Sequence, residues 1–427
     1  MSAKKKVNLM LFLTNLPTSC GRFFNLSSGC GWISRGIKAA NHHFNRAIRY
    51  FFSKITGILA ITAILYPFFY AQATTCPTSG TDVTIISSCI FDAGTYTFTG
   101  TLTINSGVTV TAASNVGSGQ VIIIADNITV NGTISANGTG YAIGTGPGAG
   151  VATSGAGGGH GGYGGDNSAN SGGVPYDSVT APVDRGSGGG TTSNGTSSAG
   201  GGAIKLVSTG TVTIAGTVSA NSGGCNGNPG GCGAGGSIWI DAGTIAGAGT
   251  VTTNSGTNSG NGGGGAGGRI ALYYTTDSST WTVQAFGGTV AGSGTRGGAG
   301  TIYRKAAAAT NGDLIVDNNS LASAANTTQL AATNETYDNV TVKNLASYVI
   351  PNTSSLSLIS SFTGSASNRG TITVNNGGTL NLPTAAFTLN QVNITHNGAI
   401  GVAGGYQPYR SHVDQQFIRV QHGHRHV

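Results

Sequence analysis

The chain has little charge, and most of its excess positive charge lies at one end. Only 8% of the 427 residues are Asp, Glu, Lys or Arg, and Glu335 is the sole glutamate among 13 acidic residues. Nine of the 20 basic residues fall within residues 1–73, which leaves 11 basic against 13 acidic residues in 74–427. The net charge of +7 therefore does not indicate a basic groove for phosphates, and we predict no nucleic-acid partner.

The sequence also lacks closely spaced carboxylates. No two acidic residues are adjacent or one residue apart. Asp313 and Asp317 would lie on one face of a strand about 13 Å apart, which is farther than the paired carboxyl groups of glycosidases. Asp126 and Asp241 follow equivalent strand patterns, so they are interpreted as turn or cap residues. We predict no catalytic residue and no cofactor.

One apolar run, at residues 55–70, is long enough for an export signal. Three basic residues precede it, and Ala71-Gln72-Ala73 follows it with the small side chains that signal peptidase requires. We predict a leader over residues 1–73, cleaved before Thr74. The alternative is an uncleaved membrane anchor, which would be the chain's only contact with a membrane. Either interpretation predicts a secreted or cell-surface protein.

Four cysteines follow the leader, an even number in a region predicted to be exported. The spacings group them as Cys76 with Cys89 and Cys225 with Cys232. The second pair encloses NGNPGG, a turn-rich segment that can bring two thiols together. A metal site of all four is disfavoured, because the spacings differ from those of common zinc motifs and no histidine accompanies them. We predict two disulfides.

Glycine, with 74 residues, is what the sequence has in excess, and it occurs in runs beside a recurring strand pattern. The segments GGSIWI, GGRIAL and AGTIYR place Ser237, Arg269 and Thr301 at steps of 32 residues. Earlier copies are GGAIKL at 201–206 and GQVIII at 119–124. A repeat of this length indicates a structure built of stacked, similar units.

Each unit carries short strand patterns in which apolar residues alternate with polar ones, such as TVTIAGTVSANS from Thr211. Such a unit cannot bury its apolar face alone and must stack on copies of itself. The sequence therefore predicts an all-β chain, a parallel β-helix or β-solenoid with glycine-rich lateral loops, preceded by the signal or transmembrane helix. In an alternative arrangement the glycine runs pack against one another as polyproline-II helices.

Composition divides the chain into four parts. After the leader, residues 74–310 form the glycine-rich solenoid with repeats of about 32 residues. Residues 311–405 contain less glycine but keep the alternation, which indicates a continued solenoid or a second β domain. Residues 406–427 form an irregular, histidine-rich tail without a pattern for a capping element.

These patterns resemble the glycine-rich, right-handed parallel β-helix proteins of exported microbial surfaces, which include adhesin-like and autotransporter-passenger-like chains. A more distant likeness is to the pectate-lyase-like superfamily. The resemblance covers roughly residues 95–400 and rests on N-G-T-I-S-A-N-G strings combined with GGGAGG-x-I-x-I. It implies a coil architecture and says little about activity.

Two groups of residues are candidate binding sites. His160, Tyr163 and Asp166 lie on one glycine-rich stretch and are candidates for binding a ligand. The tail residues His422, His424 and His426 alternate and are candidate metal ligands, although a truncated or frame-shifted end would also explain this tail. Threonine-rich rungs would suit ice binding if T-x-T pairs formed a regular array, but the threonines look scattered in the sequence.

We therefore predict an exported structural or adhesive β-solenoid without catalytic activity. Its partner would be an extracellular polysaccharide or the surface of a host or neighbouring cell. The alternative is a polysaccharide-active β-helix enzyme, a lyase or a glycoside hydrolase. An enzyme would need three or more charged side chains converging in a groove, whereas the adhesive interpretation predicts polar faces with dispersed charge.

Overall fold

A computed structural model gives the architecture of most of the chain after the predicted leader. It describes residues 74–114, 119–167, 172–191, 196–225, 230–321, 327–383 and 388–402. The leader, its apolar run at 55–70 and the tail at 406–427 lie outside these ranges. Within the described ranges the regular elements are all strands, and no helix there is long and apolar enough to span a membrane.

The strands are short in the first coils and longer in the middle of the chain. The first seventeen are β1 Thr74–Thr75, β2 Ser79–Thr81, β3 Thr84–Ile85, β4 Cys89–Asp92, β5 Gly94–Thr99, β6 Thr101–Ile104, β7 Thr109–Ala113, β8 Val121–Ala125, β9 Asn127–Val130, β10 Thr133–Ser135, β11 Ala203–Ile214, β12 Thr217–Ser219, β13 Ser237–Gly247, β14 Thr250–Thr252, β15 Arg269–Ser279, β16 Thr282–Gln284 and β17 Thr301–Ala306. The remainder are β18 Asp313–Asp317, β19 Thr328–Gln329, β20 Asn334–Lys343, β21 Ser347–Ile350, β22 Ser355–Thr363, β23 Gly370–Val374, β24 Thr379–Leu382, β25 Thr388–Asn390, β26 Val392–His396 and β27 Ala399–Val402.

The repeat read from the sequence sets the strand register. Ile204, Ile238, Ile270 and Ile302 lie opposite one another on the successive parallel strands β11, β13, β15 and β17. All four side chains are buried and belong to one hydrophobic core. The prediction of an all-β chain with stacked parallel strands, a β-solenoid-like class, is therefore confirmed.

A second parallel sheet closes the other side of this core. It contains β1, β4, β7, β10, β12, β14 and β16, and its inward residues include Val110, Ile134, Val218 and Val251. The polar residue that ends each repeat has a defined role. The side-chain oxygen of Asn137 accepts the N–H of Asn221, and that of Asn221 accepts the N–H of Asn254, at 2.7 Å each. This asparagine ladder ties each coil to the next one.

The glycine runs form a packed layer, not exposed loops. We call this part the glycine layer; it comprises residues 155–165, 186–190, 198–202, 230–236, 262–268 and 297–300. Most of its residues are buried, although none belongs to a strand. Backbone hydrogen bonds join the segments, as from Gly161 N to Gly267 O and from Gly267 N to Gly298 O, both 2.9 Å.

Close contact between backbones explains why these positions are glycine. A Cβ atom on Gly297 would overlap the carbonyl oxygen of Gly265, and one on Gly265 would overlap that of Gly233. A side chain is thus excluded at these glycine positions, as in other assemblies of extended glycine-rich chains. These runs lie outside the strands, as the predicted lateral loops do, and their backbones pack closely against one another. The packed alternative agrees with the burial and bonding seen here.

Beyond β17 the hydrophobic core moves to the other face of the large sheet. Strand β18 pairs antiparallel with β17, and Tyr303 lies opposite Leu314. Both residues belong to a second core, whereas Ile302 beside them belongs to the first. Strands β20, β22, β24 and β27 then extend the same sheet over this second core. Strands β18, β20, β22, β24 and β27 thus continue the large sheet, while β19, β21, β23 and β26 form a separate four-stranded sheet. Between them these strands bury a separate set of side chains.

Both predicted disulfides are present. Cys76 is bonded to Cys89 with Cα atoms 5.0 Å apart, and Cys225 is bonded to Cys232 with Cα atoms 5.2 Å apart. The first bond joins the residue that follows β1 to the first residue of β4, its parallel neighbour. The second joins Cys225 to Cys232, which lies within the glycine layer. All four cysteines are buried, which protects the bonds from reductants.

Candidate functional site: a cleft beside Asp177 and Glu335

A cleft of about 490 Å³ opens between two segments that are far apart in the sequence. One wall is the loop 177–180, which belongs to the long insertion between β10 and β11. The other wall is formed by residues 331–337, which lead into and begin β20. The cleft is lined by two carboxylates, Asp177 and Glu335, together with Tyr337. Because two carboxylates face this one cleft, it is the place in which to test the enzymatic alternative.

Asp177 organises its own loop. Its Oδ2 atom accepts the backbone N–H groups of Val183 and Asp184 at 3.0 Å, and its Oδ1 accepts that of Ser178 at 2.8 Å. The residue has a positive φ of 69°, a conformation that Asp tolerates better than most residues. Burial alone would raise the pKa of Asp177, but hydrogen bonds from His160 and the backbone outweigh burial and lower it.

The carboxylate oxygens of Glu335 also accept several hydrogen bonds. Its Oε1 accepts the N–H groups of Ala331 and Ala332 at 2.8 and 2.9 Å, and its Oε2 accepts the hydroxyls of Tyr337 and Tyr348 at 2.8 and 2.9 Å. An ionised carboxylate has about four acceptor positions, so all of them are filled. Burial, and then the neighbouring Glu335 charge, raise the pKa of both tyrosines. They therefore act as neutral donors.

Arg269 lies beneath the cleft and is fully buried. Its Nε donates to the carbonyl oxygen of Tyr176 at 2.8 Å, and its NH1 donates to Thr301 Oγ1 at 2.9 Å. Burial lowers the pKa of Arg269, while the charges of Asp177 and Glu335 act in the opposite direction. The guanidinium thus fastens the insertion to the sheet and balances the two carboxylates. It does not reach into the cleft.

Two neighbouring side chains fasten the same loop. Ser237 Oγ donates to the carbonyl oxygen of Asp184 at 2.6 Å, and Tyr273 OH donates to that of Thr180 at 2.8 Å. With Arg269, they place three contacts from strands β13 and β15 along the insertion. The outer face of the large sheet therefore positions the Asp177 wall of the cleft.

His160, the first predicted ligand-binding residue, is completely buried in the glycine layer. Its Nδ1 lies 2.7 Å from the carbonyl oxygen of Gly235, and its Nε2 lies 3.4 Å from Asp177 Oδ2. Both ring nitrogens face acceptors, so an imidazolium would donate to both. The ring also packs against Tyr176, with centroids 4.8 Å apart. The structure thus places His160 behind Asp177, in the support of the loop.

Tyr163 and Asp166 have partners of their own. The Tyr163 hydroxyl donates to Gln329 Oε1 at 2.6 Å. Asp166 Oδ1 accepts the N–H of Gly172 at 2.6 Å. These two contacts and those of His160 go to different parts of the molecule. The residues His422, His424 and His426 lie outside the described residues. Within the described ranges, no group of three or more His, Cys, Asp or Glu side chains could hold a metal ion.

Sequence reasoning missed Asp177, Glu335 and Arg269 as a group. Asp177 appeared as one dispersed aspartate, and Glu335 lies 158 positions away in the numbering. One signal was available for Arg269. At its position in the repeat, the other copies have Ala203, Ser237 and Thr301, so a charged residue stands out there. This exception to the repeat marks β15 as a strand that holds the long insertion between β10 and β11.

Comparisons of the chain with protein-family models, with curated proteins and with solved structures found no match. The inference of function therefore depends on the geometry of the described residues.

Proposed function

We propose that the protein is an exported structural and adhesive module of the cell surface or extracellular space, built as a right-handed parallel β-helix. Two disulfides in buried positions support an oxidising, extracellular location. In-register parallel coils support the helical architecture. The faces of those coils offer hydroxyl and amide side chains with dispersed charge, which supports binding through extended surfaces to a polysaccharide or a neighbouring cell.

One observation carries the non-catalytic part of this proposal. In the cleft, the acceptor positions of Glu335 are filled by two backbone N–H groups and two tyrosine hydroxyls. Asp177 is engaged by three backbone N–H groups. A general base needs a free lone pair within reach of the substrate proton. Carboxylates that hold together their own loops are structural groups.

An adhesion assay with the full chain tests the proposal. The protein, expressed in an exporting host, is recovered from the medium or cell surface, and its N-terminus is determined. Beads coated with it are then applied to surfaces bearing pectin-like or alginate-like polymers or whole cells, with albumin-coated beads as the control. We expect retention above the albumin background. Intracellular retention of the chain, or equal retention of both kinds of bead, would contradict the proposal.

The enzymatic alternative has one observation in its favour, since Asp177 and Glu335 line a single cleft. It is tested by incubating the purified chain with the same polymers and measuring new reducing ends and unsaturated products. We expect none above a heat-inactivated sample. Turnover that is abolished by Glu335→Gln in a variant that melts at the wild-type temperature would replace the adhesive proposal with the enzymatic one.

A further inference from the structure

Threonines that look scattered in the sequence are aligned by the strand register. On the outer side of β6, β9, β11, β13 and β15, two columns of side chains run across five coils. The first column consists of Thr101, Asn127, Thr211, Thr244 and Thr276, and the second consists of Thr103, Thr129, Thr213, Ala246 and Ser278. We call these ten positions the threonine face. Eight of them carry a hydroxyl.

The apolar residues between the columns fix the orientation of this face. Leu102, Ile128, Val212 and Ile245 alternate with the column residues and are fully buried in the first core. Successive side chains of a strand point to opposite sides, so the column residues point away from the core. All ten are at least partly exposed. On β15 the residue between the columns is Asp277, which is exposed and paired with Arg304. The face therefore lies over buried apolar residues in four coils, and an ion pair borders it at the fifth.

The hydroxyls of the face are not used inside the molecule. In the part of the chain that the structure describes, none of the eight makes a hydrogen bond to another protein group. Many other threonines there do, as Thr139 does to the carbonyl oxygen of Ala112 at 2.8 Å and Thr328 to that of Ala299 at 2.6 Å. The ten positions also include no charged and no aromatic residue. Charge enters the face only at its β15 edge, where Asp277 is paired with Arg304, so the rest of the face suits a neutral partner that both donates and accepts hydrogen bonds.

The spacing of the hydroxyls is set by the sheet. Neighbouring strands lie about 4.8 Å apart, and residues i and i+2 of a parallel strand lie about 6.6 Å apart. The threonine face is thus a two-dimensional array of methyl and hydroxyl groups with a fixed repeat in both directions. A partner that repeats on the same scale can meet many of these groups at once, and the rigid coils lose little conformational freedom on binding.

We infer that the threonine face binds the surface of ice. An ice surface is a neutral, extended lattice of donors and acceptors whose repeats are comparable with the spacing of the two columns. A crystalline polysaccharide is less well matched to this particular face, because the ten positions include no aromatic side chain on which a sugar ring could stack. This activity does not depend on the adhesive function proposed above.

The other parallel sheet provides a matched control. Its strands β10 and β12 carry Thr133 and Thr217 in register at outward positions, and both are partly exposed. That sheet carries one continuous accessible column, which consists of Thr109, Thr133, Thr217, Thr250 and Thr282. Ser219 and Thr252 of its second column are buried, so two adjacent accessible columns do not extend over all its coils. Bulky substitutions there change the same residue type in the same architecture without touching the threonine face.

The experiment uses the full chain and ice as the probe. Partition of the protein into slowly growing ice, and thermal hysteresis, are measured for the wild type, for Thr129→Tyr/Thr213→Tyr on the threonine face and for the control Thr133→Tyr/Thr217→Tyr. Thermal unfolding followed by circular dichroism establishes that each variant is folded. We expect the wild type and the control pair to enter ice, and the threonine-face pair to fall to the albumin background.

Three results would overturn the inference. In the first, the wild type is excluded from ice to the same degree as albumin. In the second, the two pairs of substitutions reduce partition equally although both variants are folded, which would remove the role of this face. In the third, the wild type binds microcrystalline cellulose or chitin while being excluded from ice, which would assign the face to a polysaccharide.

Should the threonine-face pair fail to fold, the variant Thr129→Val/Thr213→Val replaces it. Valine keeps the shape and the strand preference of threonine and replaces the hydroxyl by a methyl group. We expect reduced ice partition for this variant with its melting temperature retained. Full wild-type partition would show that the hydroxyls are not required and would overturn the inference as stated.

Discussion

Ile270 lies directly opposite Ile238 on the neighbouring parallel strand, and neither side chain is accessible to solvent. The two residues are 32 positions apart in the sequence, and the same relationship continues to Ile302. This row of isoleucines is the basis of the first core, because each coil buries its apolar residues against the equivalent residues of the next coil.

Replacement of Ile270 by Ala should therefore be strongly destabilising. Removal of the buried side chain is expected to lower the free energy of unfolding by about 2–5 kcal/mol, and Ile270→Val by about 0.5–1.5 kcal/mol. Ile359, which is 52% exposed, provides the control. Ile359→Ala should change the free energy by less than about 0.5 kcal/mol. Denaturant titration measures all three, and equal effects at both sites would contradict the stacked core.

The glycine layer predicts a large difference between two glycine-to-alanine substitutions. In Gly297→Ala, the new Cβ would overlap the carbonyl oxygen of Gly265, so we expect a loss of about 1–3 kcal/mol or more. Gly224 has no atom near its Cβ position and is exposed. Gly224→Ala should therefore be close to neutral. The melting temperatures of the two variants provide the test, and a neutral Gly297→Ala would mean that the layer is not packed as described.

Because of Asp177, the free energy of unfolding should depend on pH in the acidic range. Its pKa is lowered in the folded chain, because hydrogen bonds from His160 and the backbone outweigh the effect of burial. A lowered pKa gives stability that is present above the unfolded value of about 3.9 and is lost as the pH falls through the folded value. The difference between the wild type and Asp177→Asn should therefore be largest near neutral pH.

Urea midpoints measured from pH 7 down to pH 2 give this difference directly. It should begin to narrow below about pH 4, where the carboxylate becomes protonated in the unfolded chain, and it should be lost as the pH falls through the lowered pKa of the folded chain. A difference that stays constant over this range would show that the charge of Asp177 does not contribute to stability.

The disulfide between Cys76 and Cys89 should stabilise the first coil. Its sequence separation is 13, against 7 for Cys225 and Cys232. Cys76→Ser/Cys89→Ser is expected to cost about 2–4 kcal/mol, and loss of the shorter bridge somewhat less because it closes a smaller loop. Thermal melting with and without reductant measures the effect. No change in melting temperature for the first variant would contradict a structural role for this bond.

Several features could be predicted from the sequence for a clear physical reason. Strand alternation depends on neighbours two residues apart, and stacking depends on a repeat of 32 residues, so both are visible in the linear chain. The register of Ser237, Arg269 and Thr301 therefore follows from the repeat alone. The disulfides follow because each pair is local. The histidine tail and the leader stay predictions, since they lie outside the described residues.

Other features could not be predicted. The cleft joins Asp177 to Glu335 through an insertion that folds back over the sheet, and no periodicity records where such a segment lands. The sequence also does not show that all acceptor positions of Glu335 are filled, because one of the donors is Tyr348 on another strand. The threonine columns were missed because units of different length, separated by a long insertion, hide their common register.

The amino-acid sequence by itself determined the repeating coil: alternation selects which side chains are buried, and the repeat selects which strands pair. Only the tertiary structure decided three further points, namely that the glycine runs pack into a layer, that the core changes to the other face of the large sheet beyond β17, and that the threonines form two columns. Each of these depends on which backbones approach across a large sequence distance, and such approach is set by packing and not by local preference.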